Sequence, residues 1–85
     1  MNATTIATNV INEARTRYGD VDAIALPRST WEEVMEEVTA SGGEVGFDYC
    51  VVDGVRVRGD LADDDRRGAI YRASTTEPTY VSLAG

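Results

Sequence analysis

Residues 45–58 read VGFDYCVVDGVRVR, and this stretch decides the fold. Asp53-Gly54 stands between valines. A two-residue type I′ turn needs positive φ at both central positions, and Asp-Gly tolerates that at little steric cost. The stretch is therefore expected to form a β-hairpin with Asp53 and Gly54 as its loop. The turn sets the register. Val52 should oppose Val55, Val51 Arg56, Cys50 Val57, and Tyr49 Arg58. Side chains alternate across a strand, so register also sets faces. Cys50, Val52, Val55 and Val57 share an apolar face suited to the core. Phe47, Tyr49, Val51, Arg56 and Arg58 share the other.

Working towards the N-terminus, residues 29–32 (STWE) read as a capping box. It opens a helix that runs to about Ser41, with Trp31, Val34, Met35 and Val38 at i, i+3, i+4 and i+7. Glu32, Glu33, Glu36 and Glu37 fall off that apolar stripe. Gly42 and Gly43 end it. Residues 21–26 (VDAIAL), between Gly19 and Pro27, read as a short buried strand. Residues 3–18 read as an amphipathic helix with Ile6, Val10, Ile11, Ala14 and Tyr18 on one stripe, stopped by Gly19. On the C-terminal side, GAIYRA (68–73) reads as a strand and PTYVSL (78–83) as an edge strand or arm within residues 74–85. LADDDRR and STTE are solvated loops. The expected architecture is a single α+β domain over residues 1–85, with two helices packed on a mostly antiparallel sheet of four or five strands. A central place in that sheet, in either sense, fits residues 21–26.

Composition narrows the chemistry. The chain has 85 residues, 15 acidic and 8 basic, no histidine and a net charge of -7. Every basic residue is arginine. Without His or Lys there is no imidazole base, Schiff-base lysine, P-loop lysine or His-ligated metal. One cysteine, Cys50, makes neither an internal disulfide nor a Cys-based zinc site. The acidic balance opposes binding to phosphates, so no direct sequence-specific nucleic-acid contact is expected. No apolar run approaches the ~20 residues of a membrane span, and MNATTIATNV lacks the pattern of a signal peptide. Residues 1–54 carry 10 acidic and 3 basic side chains, residues 55–85 five of each. Absence of lysine with excess carboxylate fits a salt-rich cytoplasm, where a dense acidic surface stays hydrated and its self-repulsion is screened. A haloarchaeal host or its virus fits. A GC-rich genome would give the same arginine-for-lysine bias.

Candidate sites follow from these patterns. Aromatics and arginine are enriched where proteins meet proteins, so Phe47, Tyr49, Val51, Arg56 and Arg58 are the candidate partner-binding face. Arg58 opposite Tyr49 could form a cation–π pair. The competing reading lays the second helix over this face, with the arginines pairing to Glu36 or Glu37. A bulge at Gly46 or Gly59 would exchange the faces. Glu33, Glu36 and Glu37 are the complementary acidic candidates. Asp60, Asp63, Asp64 and Asp65 lack EF-hand spacing and read as a solvated turn, so no metal and no cofactor is expected. Arg58-Gly59-Asp60 matches an adhesion tripeptide by chance. Cys50 reads as inert packing. No catalytic residue is expected.

The order TIATNVINEARTRYG, VDAIALP, RSTWEEVMEEV, VVDGVRVR, GDLADDD and GAIYRA, over residues 3–73, resembles the axial and peripheral region of the shell proteins of tailed double-stranded DNA viruses, a fold shared by encapsulins. The chain is much shorter than a whole shell subunit and has no room for the spine helix or extended loop of that family. The resemblance implies a small virion protein or a stand-alone domain of related topology, and carries no catalytic residue. The expectation is thus a non-enzymatic structural or assembly protein of a virus particle, capsid-associated or at a head–tail junction, from a haloarchaeal tailed virus. It would be located in the virion or host cytoplasm and act by self-association or contacts with other virion proteins. The alternative is a small acidic module that inhibits or regulates a single protein partner.

Overall fold

The computed structural model describes residues 2–73 and 76–83. Ser74, Thr75, Ala84 and Gly85, within the segment read above as an edge strand or arm, lie outside the described residues. The elements are α1 (Ala3–Tyr18), β1 (Ala23–Pro27), α2 (Arg28–Ala40), β2 (Tyr49–Val52), β3 (Val55–Leu61), β4 (Arg67–Tyr71) and β5 (Thr79–Ser82). The five strands form one sheet in the order β2-β3-β1-β4-β5. This is an α+β fold with a mostly antiparallel sheet: only β1 and β3 run parallel. A parallel pair needs a crossover. Here α2 provides it, and β2 then pairs on the outer side of β3. The β1 strand takes the central position.

The hairpin forms with the expected register, Tyr49↔Arg58, Cys50↔Val57, Val51↔Arg56 and Val52↔Val55. Asp53 and Gly54 have φ of 52° and 79°, as the turn requires. Its first arm is shorter than expected. The chain turns back at Phe47 and Asp48, so that Val45 bridges to Cys50 and Gly46 N–H donates to the Tyr49 carbonyl at 2.8 Å.

Both helices lie on the face that carries Cys50, Val52, Val55 and Val57. The core joins these to Ala7, Val10, Ile11 and Ala14 of α1, Trp31, Val34 and Val38 of α2, Ile24 and Leu26 of β1, and Ile70 and Val81 beyond. Trp31 is the keystone. Its indole N–H donates to the Val57 carbonyl at 2.9 Å, and its ring lies over Gly59, the one residue of β3 small enough to admit it. Gly59 is thus a packing position. A register shift between β1 and β3 does fall here, with Arg58 opposite Ala25 and Leu61 opposite Pro27, but it lies beyond the hairpin pairs and leaves their faces as expected.

The expected capping box is not formed. The chain passes directly from β1 into α2, with Pro27 (φ -55°) as the N-cap and no side-chain cap from its own neighbourhood. Asp63, from the loop after β3, instead accepts the Ser29 N–H at 2.9 Å, and Glu32 pairs with Arg28 at 3.8 Å. The N-terminus of α1 is held by Asn2, whose side chain accepts from Thr5 N–H at 2.9 Å.

Candidate protein-interaction face

The helices cover one side of the sheet and leave the other open. The competing reading, with α2 over the Tyr–Arg face, is therefore overturned: α2 packs on the valine face because that is where Trp31, Val34 and Val38 find apolar partners.

The strand registers define the open face as two rows. One runs Val51, Arg56, Ala23, Tyr71, and the other Tyr49, Arg58, Ala25, Ala69, Tyr80. The middle is built of alanines and the flanks of tall side chains. Ala25 and Ala69 are 0% exposed although they lie on the face away from the helices. The result is a low centre between a Tyr49–Arg56–Arg58 bank and a Tyr71–Tyr80–Arg67 bank.

The charges on this face are organised. Arg56 lies over the Tyr49 ring, 5.0 Å from its centroid, and Arg67 over Tyr80 at 4.4 Å. Arg58 does not stack on Tyr49 as expected. It reaches Asp60 at 3.3 Å and Asp48 at 4.0 Å, while Arg56, diagonal to Tyr49, takes the ring. A diagonal cross-strand neighbour is within reach of a long side chain. Among the described residues Arg56 has no ion-pair partner. Burial raises the Tyr71 phenol above its ordinary pKa, and the carboxylate of Asp60 adds to the rise.

Other candidates are placed differently. Phe47 is 101% exposed, at the tip of the turn before β2, and is not part of the sheet face. Val51 is half-buried within it. Glu33 and Glu36 are exposed on the outer side of α2, together with Glu32. Glu37 is committed elsewhere: its carboxylate accepts from the Ala3 and Thr4 N–H groups at 3.1 and 2.9 Å and from the Thr4 hydroxyl. It caps α1, and those bonds hold its carboxyl below the ordinary range. Asp63 caps α2, Asp65 pairs with Arg67 at 3.1 Å, and no group of metal-ligating side chains occurs among the described residues. Cys50 is buried, and desolvation pushes its thiol up to about 11.

Tyr71, Tyr80 and Arg67 belong to this face and were not foreseen. The hairpin turn sets one strand pair, whereas their neighbours depend on how β4 and β5 join β1. The signal available was parity: Tyr71 and Ala69 alternate with buried Ile70, as Tyr80 and Ser82 do with Val81. No helix among the described residues is long and apolar enough to cross a membrane. Comparison with protein-family models, with curated proteins and with solved structures gives no match, so the open sheet face is the feature from which a function has to be inferred.

Proposed function

We propose that the protein is a non-enzymatic assembly or binding module that works through protein–protein contacts on the open sheet face. A virus particle is the setting that the shell-protein resemblance suggests. The supporting observation is that both helices pack on one side, leaving the tyrosine–arginine rows in water. Tyr and Arg are residue types that anchor interfaces. Arg56, paired with a ring instead of a carboxylate, favours an acidic partner surface.

The chain itself carries such a surface. Glu32, Glu33 and Glu36 are exposed on α2, on the opposite side of the molecule from the arginines. Complementary patches on opposite sides favour head-to-tail contacts, which close into a ring when the rotation allows. The alternative of an acidic inhibitor or regulator of one partner needs a continuous carboxylate face including Glu37, and Glu37 is spent on capping α1.

The test is charge reversal. Arg56→Glu with Arg58→Glu should abolish salt-sensitive association measured by light scattering, while far-ultraviolet circular dichroism stays that of the parent. Salt-sensitive association that survives the double reversal would rule out the open face. No salt-sensitive association in the parent would rule out head-to-tail assembly.

A further inference from the structure

The sheet has two edge strands, and the chain treats them differently. At β2 the outward backbone is already engaged by the preceding segment. Gly46 N–H donates to the Tyr49 carbonyl at 2.8 Å, and Val51 N–H to the Glu44 carbonyl at 3.0 Å. The β5 strand ends the sheet on the other side, with no described strand beyond it. Leu83 N–H donates to the Arg66 carbonyl at 3.0 Å. With Arg67↔Ser82 and Gly68↔Val81 in register, the antiparallel alternation follows. Thr79, Val81 and Leu83 turn their backbone groups towards β4. Tyr80 and Ser82 turn theirs outward.

The usual protections of an edge are charge, a bulge, an internal proline or a covering segment. Residues 79–82 (TYVS) carry no charge, bulge or internal proline, have no covering strand among the described residues, and are rich in strand formers. The helices pack mainly over other strands: α1 over β1, β4 and β2, and α2 over β3, β2 and β1. On the helix side of this edge a cleft of about 570 Å³ opens, with Ile6, Val10 and Leu83 on its apolar wall.

We propose that the protein forms a two-fold dimer in which β5 pairs antiparallel with β5 of a second copy, centred on Val81. Opposed residues of an antiparallel pair share a face. With both helix layers on the same side, the axis must therefore pass through a residue and not between two. A centre at Tyr80 sets Ser82 against Pro78, which has no N–H to give. A centre at Val81 sets Tyr80 against the second copy's Ser82 and satisfies every outward N–H and C=O of the strand. It also brings Leu83 opposite the second copy's Thr79, beside the cleft. The strand can therefore meet its own reversed copy with no outward backbone group left unpaired. The contact rests on backbone hydrogen bonds and goes beyond the open-face reading: it sets two open faces side by side on one continuous sheet.

The experiment is light scattering in low and in molar salt on the parent, Ser82→Pro and Val81→Cys. In molar salt, which screens the open-face contacts, the parent should run at twice the 9.2 kDa chain mass, and in low salt at that mass or a multiple of it. Ser82→Pro removes an outward N–H and no bond to β4, so it should keep the parent's circular dichroism and weaken dimerisation by about tenfold or more. Val81 sits on the axis at a non-hydrogen-bonded position, where opposed Cα atoms lie about 4.5 Å apart, within the span of a disulfide. Mild oxidation of Val81→Cys should give a cross-linked dimer, and Ser82→Cys should not. The proposal is overturned by a parent that stays monomeric at every concentration, which would leave the edge to a foreign strand. It is equally overturned by a dimer indifferent to Ser82→Pro, or by absence of the Val81→Cys cross-link. If Ser82→Pro fails to fold, the cross-link decides. Arg56→Glu with Arg58→Glu leaves this dimer intact, so the two interfaces fail separately.

Discussion

Placing a methyl group on Gly59 tests the contact that orients the whole domain. A Cβ there would lie 2.6 Å from Trp31 Cδ2 and Cε3, where carbon–carbon contacts sit at about 3.5–4.0 Å. An overlap of about 1 Å must be relieved. The ring has little room to retreat: Trp31 is 8% exposed and its N–H is bound to the Val57 carbonyl. Overpacking of this kind costs about 1–3 kcal/mol. If the indole tilts away, a buried carbonyl loses its donor, for about 1–3 kcal/mol more. Alanine in place of glycine returns about 0.5–1 kcal/mol through the unfolded chain. The net loss is about 2–4 kcal/mol, against a total stability of roughly 4–13 kcal/mol for a domain of this length. The midpoint of thermal unfolding should fall by about 10–25 °C. Urea unfolding followed by tryptophan emission is the natural assay, because Trp31 is the only tryptophan in the chain. In a Trp31→Leu background the same substitution should cost little, since the two residues act as one contact. A Gly59→Ala protein as stable as the parent, with unshifted emission, would show that α2 does not lie across β3 at this point. The assignment of the open face would then lose its basis.

Two further outcomes follow from the capped helix and the buried thiol. The bonds from the Thr4 hydroxyl and amide, with that from Ala3, hold the Glu37 carboxyl below its ordinary value of 4.5. A pKa lowered in the folded state stabilises the fold above the unfolded value, and that contribution is lost as pH falls through the folded one. Glu37→Gln should therefore lower the melting temperature at pH 7 and flatten its decline below pH ~5. A slope shared with Asp65, also lowered by its bonds to Arg67, should remain. A melting curve for Glu37→Gln that matches the parent's at every pH would mean the cap contributes nothing. Cys50, with its thiol pushed up to about 11, should resist a disulfide reagent at pH 8 in the native protein and react promptly in urea. Prompt native reaction would contradict its burial.

Local chemistry made part of this fold legible. Asp53-Gly54 is a two-residue signal, and a hairpin's register follows from its turn, so the pairing of Tyr49 to Val52 with Val55 to Arg58 could be read directly. The helices were legible for the same reason: their apolar spacing and the Gly19 stop act within a few residues. Local reading failed where local geometry was overruled. Ser29 looked like a cap, but α2 starts two residues early, with Pro27 as its N-cap, and leaves an amide that Asp63 reaches from the loop after β3. Phe47 looked like a strand residue, but the chain doubles back there, with the Tyr49 ring packed against Gly46.

The amino-acid sequence by itself determined the elements, the hairpin register and the division of its side chains between two faces, because each depends on neighbours a few bonds away. Only the tertiary structure decided which face the helices cover, which strands flank β1, and which strands end the sheet. Those outcomes depend on where Trp31 finds a glycine, where Glu37 and Asp63 find helix N-termini far along the chain, and how β4 and β5 close against β1. They are long-range contacts, and a turn signal or a helical stripe carries no record of them. The open tyrosine–arginine face and the outer edge of β5, on which the functional proposals rest, are products of that second level.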